Sequence, residues 1–122
     1  LTAQHQPTNR SIAGVIEAIR WAENHLDQKF SIEDLAARAH VSRKTFQRHF
    51  HTATGSAPLE WLTARRMDHA KHLLETTDLP IRAVARRSGF HGESLFRYHW
   101  RQHVGGTPSG WRKECFGRRN AS

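Results

Sequence analysis

The sequence predicts an all-α fold of about seven helices, organised around two helix-turn-helix units. Three observations predict it. Apolar residues recur three or four positions apart in almost every patterned stretch of the 122 residues, the spacing that lines up one face of a helix. No stretch alternates apolar and polar residues as a half-buried strand does. And residues 32–61 return, with one added residue, as residues 81–111.

The polar residues 1–10 read as a linker, and with Leu1 in place of an initiating methionine the chain reads as a domain excised from something longer. Helical spacing begins with Ile12, Val15, Ile16, Ile19, Ala22 and Leu26. Ser31, followed by Glu33 and Asp34, supplies a cap and first-turn acids for a second helix carrying Ile32, Leu35, Ala36 and Ala39. That helix stops near His40 and Val41, and Ser42 opens a third with Phe46, Phe50 and Ala53 on one side. Gly55 ends it. Pro58, tolerated at a first helical position, begins a longer fourth helix with Leu59, Leu62, Met67, Ala70, Leu73 and Leu74 as its apolar side. Asp78 and Pro80 start a fifth helix bearing Ile81, Val84 and Ala85. After Ser88, Gly89 and Phe90 a sixth holds Phe96, Trp100 and Val104, and Thr107 with Pro108 caps a short seventh holding Trp111.

The repeat is read position by position. Ile32, Leu35 and Ala36 match Ile81, Val84 and Ala85 at an offset of 49. Beyond the turn the offset becomes 50, and Phe46, Phe50, Gly55, Pro58 and Trp61 match Phe96, Trp100, Gly105, Pro108 and Trp111. The added residue falls in the turn, where an insertion does least harm. Each copy is a short helix, a tight turn and a second helix, the plan in which the second helix enters the DNA major groove. Two αα-hairpins that merely pack together would share this pattern.

Charge separates the two readings. The third helix opens with Arg43 and Lys44, where the helix dipole favours acids. Phosphates or base acceptors would supply the missing anion. Its outward positions are Arg43, Lys44, Gln47, Arg48 and His51, and the sixth helix presents Ser94, Arg97, Tyr98 and Arg101 in the same manner, with Glu93 its only acid. Arginine and glutamine pair bidentately with guanine and adenine edges. A solvated basic face is the plainer alternative.

The overall balance points the same way. Nineteen Lys and Arg against 11 Asp and Glu give a formal charge of +8, which suits a polyanionic partner without choosing between DNA, RNA and an anionic membrane. The lone Cys115 excludes an internal disulfide and fits a reducing compartment. No apolar run approaches the ~18 residues of a membrane span.

The strings "SIEDLAARAHVSRKTFQRHFHTATGSAPLEWL" and "LLETTDLPIRAVARRSGFHGESLFRYHWRQHVGGTPSGWR" resemble the DNA-binding domain of the AraC/XylS family of bacterial transcription regulators over roughly residues 12–113. The second string carries the diagnostic run: an apolar-Ala pair, the Gly-Phe turn, an aromatic-rich helix and Gly-x-x-Pro. The chain further resembles regulators whose N-terminal half is a class I glutamine amidotransferase-like sensor. The resemblance implies two helix-turn-helix subdomains, residues 11–55 and 78–114, joined by a linker helix within residues 56–77. Residues 1–10 and 115–122 are left as linker and tail. It implies base contacts from Lys44, Gln47 and Arg48 in the first subdomain and from Ser94 and Tyr98 in the second. Where the family usually bears Arg this chain has Tyr98, with Arg97 one step earlier, so Arg97 joins the candidate base contacts at a rotation of about 100°. Ala57 stands where a capping Ser or Thr is usual, whereas Thr107 keeps that cap in the second copy.

The expected mechanism is the reading of an asymmetric promoter site. A linker helix over about residues 59–75 spans roughly 25 Å at 1.5 Å per residue. That length suits two recognition helices in successive major grooves, reading two short boxes about 10 base pairs apart. Ser42, Arg43, Thr45, His51, His91 and Arg101 are the candidate phosphate contacts, with backbone N–H groups at helix starts. RNA polymerase is an expected protein partner. The isolated domain is expected to be monomeric, dimerisation of a longer protein to lie elsewhere, and the location to be the cytoplasm, at the nucleoid. No cofactor, metal or catalytic activity is expected. The pairs His99/His103 and His69/His72 lack the further ligands zinc needs, and a lone Cys115 cannot make a metal-thiolate cluster. Two competitors are a basic helical module that binds nucleic acid without preference, or binds RNA, and one that binds an acidic protein. RNA readers expose aromatic rings for stacking, whereas Phe46, Phe50, Phe90, Phe96 and Trp100 sit at core spacing, which leaves Tyr98 as the exposed ring among them.

Overall fold

The computed structural model describes residues 9–121, with side chains described for residues 10–118. The elements are α1 (Asn9–Glu23), α2 (Ile32–Arg38), α3 (Arg43–Thr54), α4 (Pro58–Thr76), α5 (Ile81–Arg87), α6 (Glu93–His103) and α7 (Pro108–Ala121). Every regular element among the described residues is a helix. The chain divides into two compact units, Leu1–Leu62 and Thr63–Ser122, and the division falls inside α4. Most of the linker expected at residues 1–10 lies outside the described residues, but Asn9 and Arg10 already belong to α1.

In the first unit, α2 starts in a capping box. The Ser31 hydroxyl accepts from the Asp34 N–H at 3.1 Å, and the Ser31 N–H donates to the Asp34 carboxylate at 2.9 Å. Both orphan donors of the helix start are thereby satisfied. The backbone N–H of Ser31 is also the main reason the Asp34 carboxyl titrates below its usual range. At the other end His40 N–H bonds the Ala37 carbonyl and Val41 N–H bonds the Ala36 carbonyl, both at 3.1 Å. This double bond is a Schellman motif, whose C′ residue must be left-handed. His40 occupies that position with φ 60°.

The second unit builds the same turn from Gly89, φ 90°, with Gly89 N–H to the Arg86 carbonyl and Phe90 N–H to the Ala85 carbonyl. A left-handed backbone costs an L-residue roughly 1–2 kcal/mol that glycine avoids. His40→Gly should therefore raise the stability of the first unit by on the order of 1 kcal/mol. A higher denaturant midpoint at unchanged slope is the expected result, and a lower midpoint would show that the exposed His40 side chain holds the turn.

Three helices close the first core. Val15, Ala18 and Ala22 come from α1, Leu35 and Ala36 from α2, and Phe46 and Phe50 from α3. Trp61, at the start of α4, meets Phe50 edge-on at 5.5 Å. Two expected core residues stand elsewhere, since Ile12 and Ile16 are 40% and 44% exposed. The line of α1 that faces inward is the small one, Gly14, Val15, Ala18 and Ala22. Small side chains let α1 approach α2 closely, and that rotation turns the isoleucines to the rim of a groove beside Thr52 and Ala53 of α3.

The second unit repeats the plan with Met67, Ala70 and Leu74 of α4, Val84 and Ala85 of α5, and Phe96 and Trp100 of α6. Trp111 of α7 meets Trp100 edge-on at 5.8 Å, as Trp61 meets Phe50. Thr107 accepts from the Gly110 N–H at 3.0 Å, which is the α7 cap expected from the sequence.

Three sequence expectations are corrected in detail. Leu59, read as part of the apolar side of α4, is 64% exposed. Of Asp78 and Pro80, read as the start of α5, Pro80 takes the cap position with no side-chain bond, and Asp78 lies before the helix. Residues 115–121, read as a tail, continue α7, and Cys115 lies half-buried with its thiol 3.9 Å from Glu75. That continuation is anchored by Arg112, whose guanidinium donates to the carbonyls of Leu74 (3.2 Å) and Leu79 (2.8 Å). The Leu74 carbonyl, in the last turn of α4 where intrahelical partners run out, and the Leu79 carbonyl in the connection to α5 are thus met by one cation.

Candidate nucleic-acid interface

The face of each second helix follows from what its opposite face buries. In α3, Phe46 and Phe50 are buried against α1 and α2. At about 100° per residue, Lys44, Arg48 and His51 then project away from the core, and all three are exposed. Gln47 lies between the two faces and is half-buried. In α6, Phe96 and Trp100 are fully buried, and Ser94, Tyr98 and Arg101 point away from them and are exposed. Lys44, Arg48 and His51 correspond to Ser94, Tyr98 and Arg101 at the repeat offset of 50. Arg97 corresponds to Gln47, and it pairs with Glu93 one turn earlier at 3.5 Å. Tyr98 is 59% exposed, with its ring edge-on to His99.

The start of α3 differs from the sequence expectation in its electrostatics. Arg43 does not await an external anion, because it bonds the Glu33 carboxylate of α2. Position 43 sits toward the core side of α3, near α2, which is why an acid of the first helix reaches it. The Glu33 carboxyl titrates below its usual range, first through a backbone hydrogen bond and then through Arg43. Ser42 is the N-cap: its hydroxyl accepts from the Thr45 N–H at 3.1 Å and donates to the Thr45 hydroxyl at 3.0 Å. The Ser42 and Thr45 side chains are therefore engaged with each other, and Arg43 with α2. Lys44 keeps the position at the helix start that its own chain does not neutralise.

Sequence reasoning passed over two features. Leu95 is 46% exposed on α6, where a large apolar side chain stands off the core face of a polar helix. That mismatch was the signal available. Arg82 and Arg86 of α5 line a cleft with His91, Gly92 and Glu93 at the start of α6; no periodicity argument brings these segments together.

No group of three or more His, Cys, Asp or Glu side chains is placed to hold a metal ion among the described residues. His99 lies with its ring 5.6 Å from Phe90, and its pKa is lowered first by burial and then by the nearby His103. No helix among the described residues is long and apolar enough to cross a membrane.

Two units, each a short helix, a tight turn and an outward basic or polar helix, define a double helix-turn-helix domain. A family model described as a helix-turn-helix domain matches residues 35–114. The chain is 42% identical to the DNA-binding domain of AdpA, the global transcriptional factor, solved in complex with a target DNA, at a TM-score of 0.85 over 89% of this chain and 98% of that one. It is 26% identical to an AraC-type DNA-binding-domain regulator from Chromobacterium violaceum, TM-score 0.76, over 88% of this chain and 96% of that one. It is also 32% identical over 102 residues to the right origin-binding protein of Escherichia coli, covering 83% of this chain and 35% of that protein. The arabinose operon regulatory protein of Escherichia coli is 30% identical over 112 residues, 91% of this chain and 37% of that protein. The chain belongs to the AraC-type helix-turn-helix family, and it spans about a third of the length of these curated relatives.

Proposed function

We propose that the domain binds double-stranded DNA in a sequence-dependent way and directs transcription from the sites it reads, with α3 and α6 as its recognition helices. The observation that carries this reading is the repetition of one outward face. Lys44, Arg48 and His51 in the first unit and Ser94, Tyr98 and Arg101 in the second all lie opposite paired buried aromatics. A face of donors opposite a rigid core is what base-edge reading in the major groove requires. The rings on and beside the second helices, Phe46, Phe50, Phe90, Phe96 and Trp100, are buried, and Tyr98 alone of the rings on α3 and α6 is exposed as an RNA reader's stacking surface would be. Similarity to a DNA-complexed domain supports the same reading.

In this reading Lys44, Gln47 and Arg48 contact bases in one box, and Ser94, Arg97 and Tyr98 in the other. Leu95 adds an apolar surface of the kind that meets a thymine methyl group. Phosphates are met by Ser42, Arg43, Thr45, His51, His91 and Arg101. Arg43 reaches a phosphate only by sharing its guanidinium with Glu33. The boxes lie about one helical turn apart. The domain acts as a monomer on this site and offers another surface to RNA polymerase.

Selection from a random duplex library at near-physiological salt tests the whole scheme. Two enriched boxes about 10 base pairs apart are expected, and retention without any enrichment would overturn sequence-dependent binding. Residue assignments are checked on the selected duplex. Arg48→Ala should weaken binding by about 1–3 kcal/mol and relax preference at one position of one box. A uniform loss on all duplexes would reassign Arg48 to the backbone.

A further inference from the structure

One cleft has no part in base reading. It lies between α5 and the start of α6, encloses about 390 Å³, and is lined by Arg82, Arg86, Phe90, His91, Gly92 and Glu93. Arg82 and Arg86 stand one turn apart on α5, both exposed. Neither guanidinium has a hydrogen-bond or ion-pair partner among the described residues. Like charges at this spacing disfavour an isolated helix, and α5 has no acid in its first turn to offset them. The start of α6 is open as well. Its cap is Gly92, φ 130°, and no side chain accepts from the first N–H groups. A helix start of this kind carries partial positive charge.

In the first unit the same place is closed by the chain's own side chains. Glu33 stands where the second unit has Arg82, and Ser42 where it has Gly92. There the acid pairs with Arg43 across the turn, and the serine hydroxyl caps α3. In the second unit the charges have changed places, with Arg82 on the first helix and Glu93 on the second. Yet the pair does not form across the turn, because Glu93 lies beside Arg97 of its own helix. The added residue of the turn, His91, brings one more donor to the opening.

We infer that this cleft is a phosphodiester site, in which Arg82 and Arg86 grip a backbone phosphate of DNA at the start of α6. The inference rests on the DNA-binding reading above, and it makes the two units unlike in how they hold the backbone. The first spends its turn cation on an internal acid. The second keeps two guanidinium groups and an open helix start for the ligand. Guanidinium forks suit phosphate oxygens.

The test compares the wild-type domain with the double variants Arg82→Gln/Arg86→Gln and Arg82→Lys/Arg86→Lys. Affinity for the selected duplex and for a scrambled one is measured across a salt series. The glutamine pair should flatten the slope of log K against log salt by about one, at roughly 0.9 per phosphate contact. Binding to both duplexes should fall together, and base preference should stay as it is. The lysine pair should restore most of the slope, since a phosphate also accepts a point charge. Thermal unfolding of the lysine pair should coincide with the wild type, and the glutamine pair, relieved of the like charges, should be no less stable.

An unchanged slope overturns the inference, and so does a loss confined to the selected duplex, which would make these arginines base readers. Methylphosphonate substitution along the duplex locates the contact. One position should weaken the wild type and leave the glutamine pair indifferent. Equal sensitivity at every position means that no backbone phosphate occupies the cleft and overturns the inference. A wild type with no base preference, but with the slope change intact, would instead defeat the recognition-helix reading and leave the phosphate site standing.

Discussion

Trp100→Ala should unfold the second unit under conditions in which the wild type is folded. The indole is fully buried, lies against Phe96 and Trp111, and donates its N–H to the Gly105 carbonyl at 3.1 Å. Truncating a buried tryptophan costs about 3–5 kcal/mol through lost burial and the cavity left behind. The removed hydrogen bond also leaves the Gly105 carbonyl without the donor that ties the α6–α7 turn to the core. A whole domain holds only about 5–15 kcal/mol, so half of this one has little to spare. Amide exchange is the measurement. Protection in α5 and α6 should collapse, as read at Val84 and Phe96, while Phe46 and Phe50 of the other core keep theirs. Unchanged protection at Phe96 would mean that the second core tolerates the cavity by repacking. Because α6 carries Ser94, Arg97 and Tyr98, the same variant should lose one of the two boxes in a binding selection.

Gly14→Ala should destabilise the first unit, against what helix propensity alone predicts. Gly14 is in the interior of α1, where alanine is ordinarily favoured by about 1 kcal/mol. A Cβ at this position would lie 2.6 Å from the Ala39 carbonyl oxygen and 3.3 Å from the Ala39 Cα. These are backbone atoms of the turn that ends α2, and they cannot swing aside as a side chain does. The turn is held by the double hydrogen bond of the Schellman motif, so α1 must move instead. Overpacking of this kind costs about 1–3 kcal/mol, enough to reverse the sign. Urea titration decides it. A lower midpoint supports the close approach, and a midpoint raised by the amount propensity predicts would mean that α1 stands off α2 in solution.

Periodicity and internal repetition were sufficient for the element order, the helix starts at Ser31, Ser42, Pro58 and Thr107, and the paired core positions Phe46/Phe96, Phe50/Trp100 and Trp61/Trp111. These features depend on interactions within a few residues along the chain: a hydroxyl on a nearby N–H, a proline at a first turn, apolar side chains recurring every three or four residues. The outward face of α3 and α6 was legible for the same reason, because burying one side of a helix dictates the other. Contacts between segments far apart in sequence were not legible. Periodicity counted Ile12 and Ile16 as core because they are apolar and well spaced. In three dimensions the small residues Gly14 and Ala18 faced inward, since closeness of approach outweighed side-chain size.

The dipole argument asked for an anion at the start of α3, but whether it came from DNA or from the chain depended on Glu33, ten residues earlier on another helix. Likewise Arg82 and Arg86 look in the sequence like any solvated helix face. Only the turn that brings them beside Gly92 makes a cleft of them. Local propensity acts over one or two helical turns, whereas close approach and charge pairing are set by which helix faces meet.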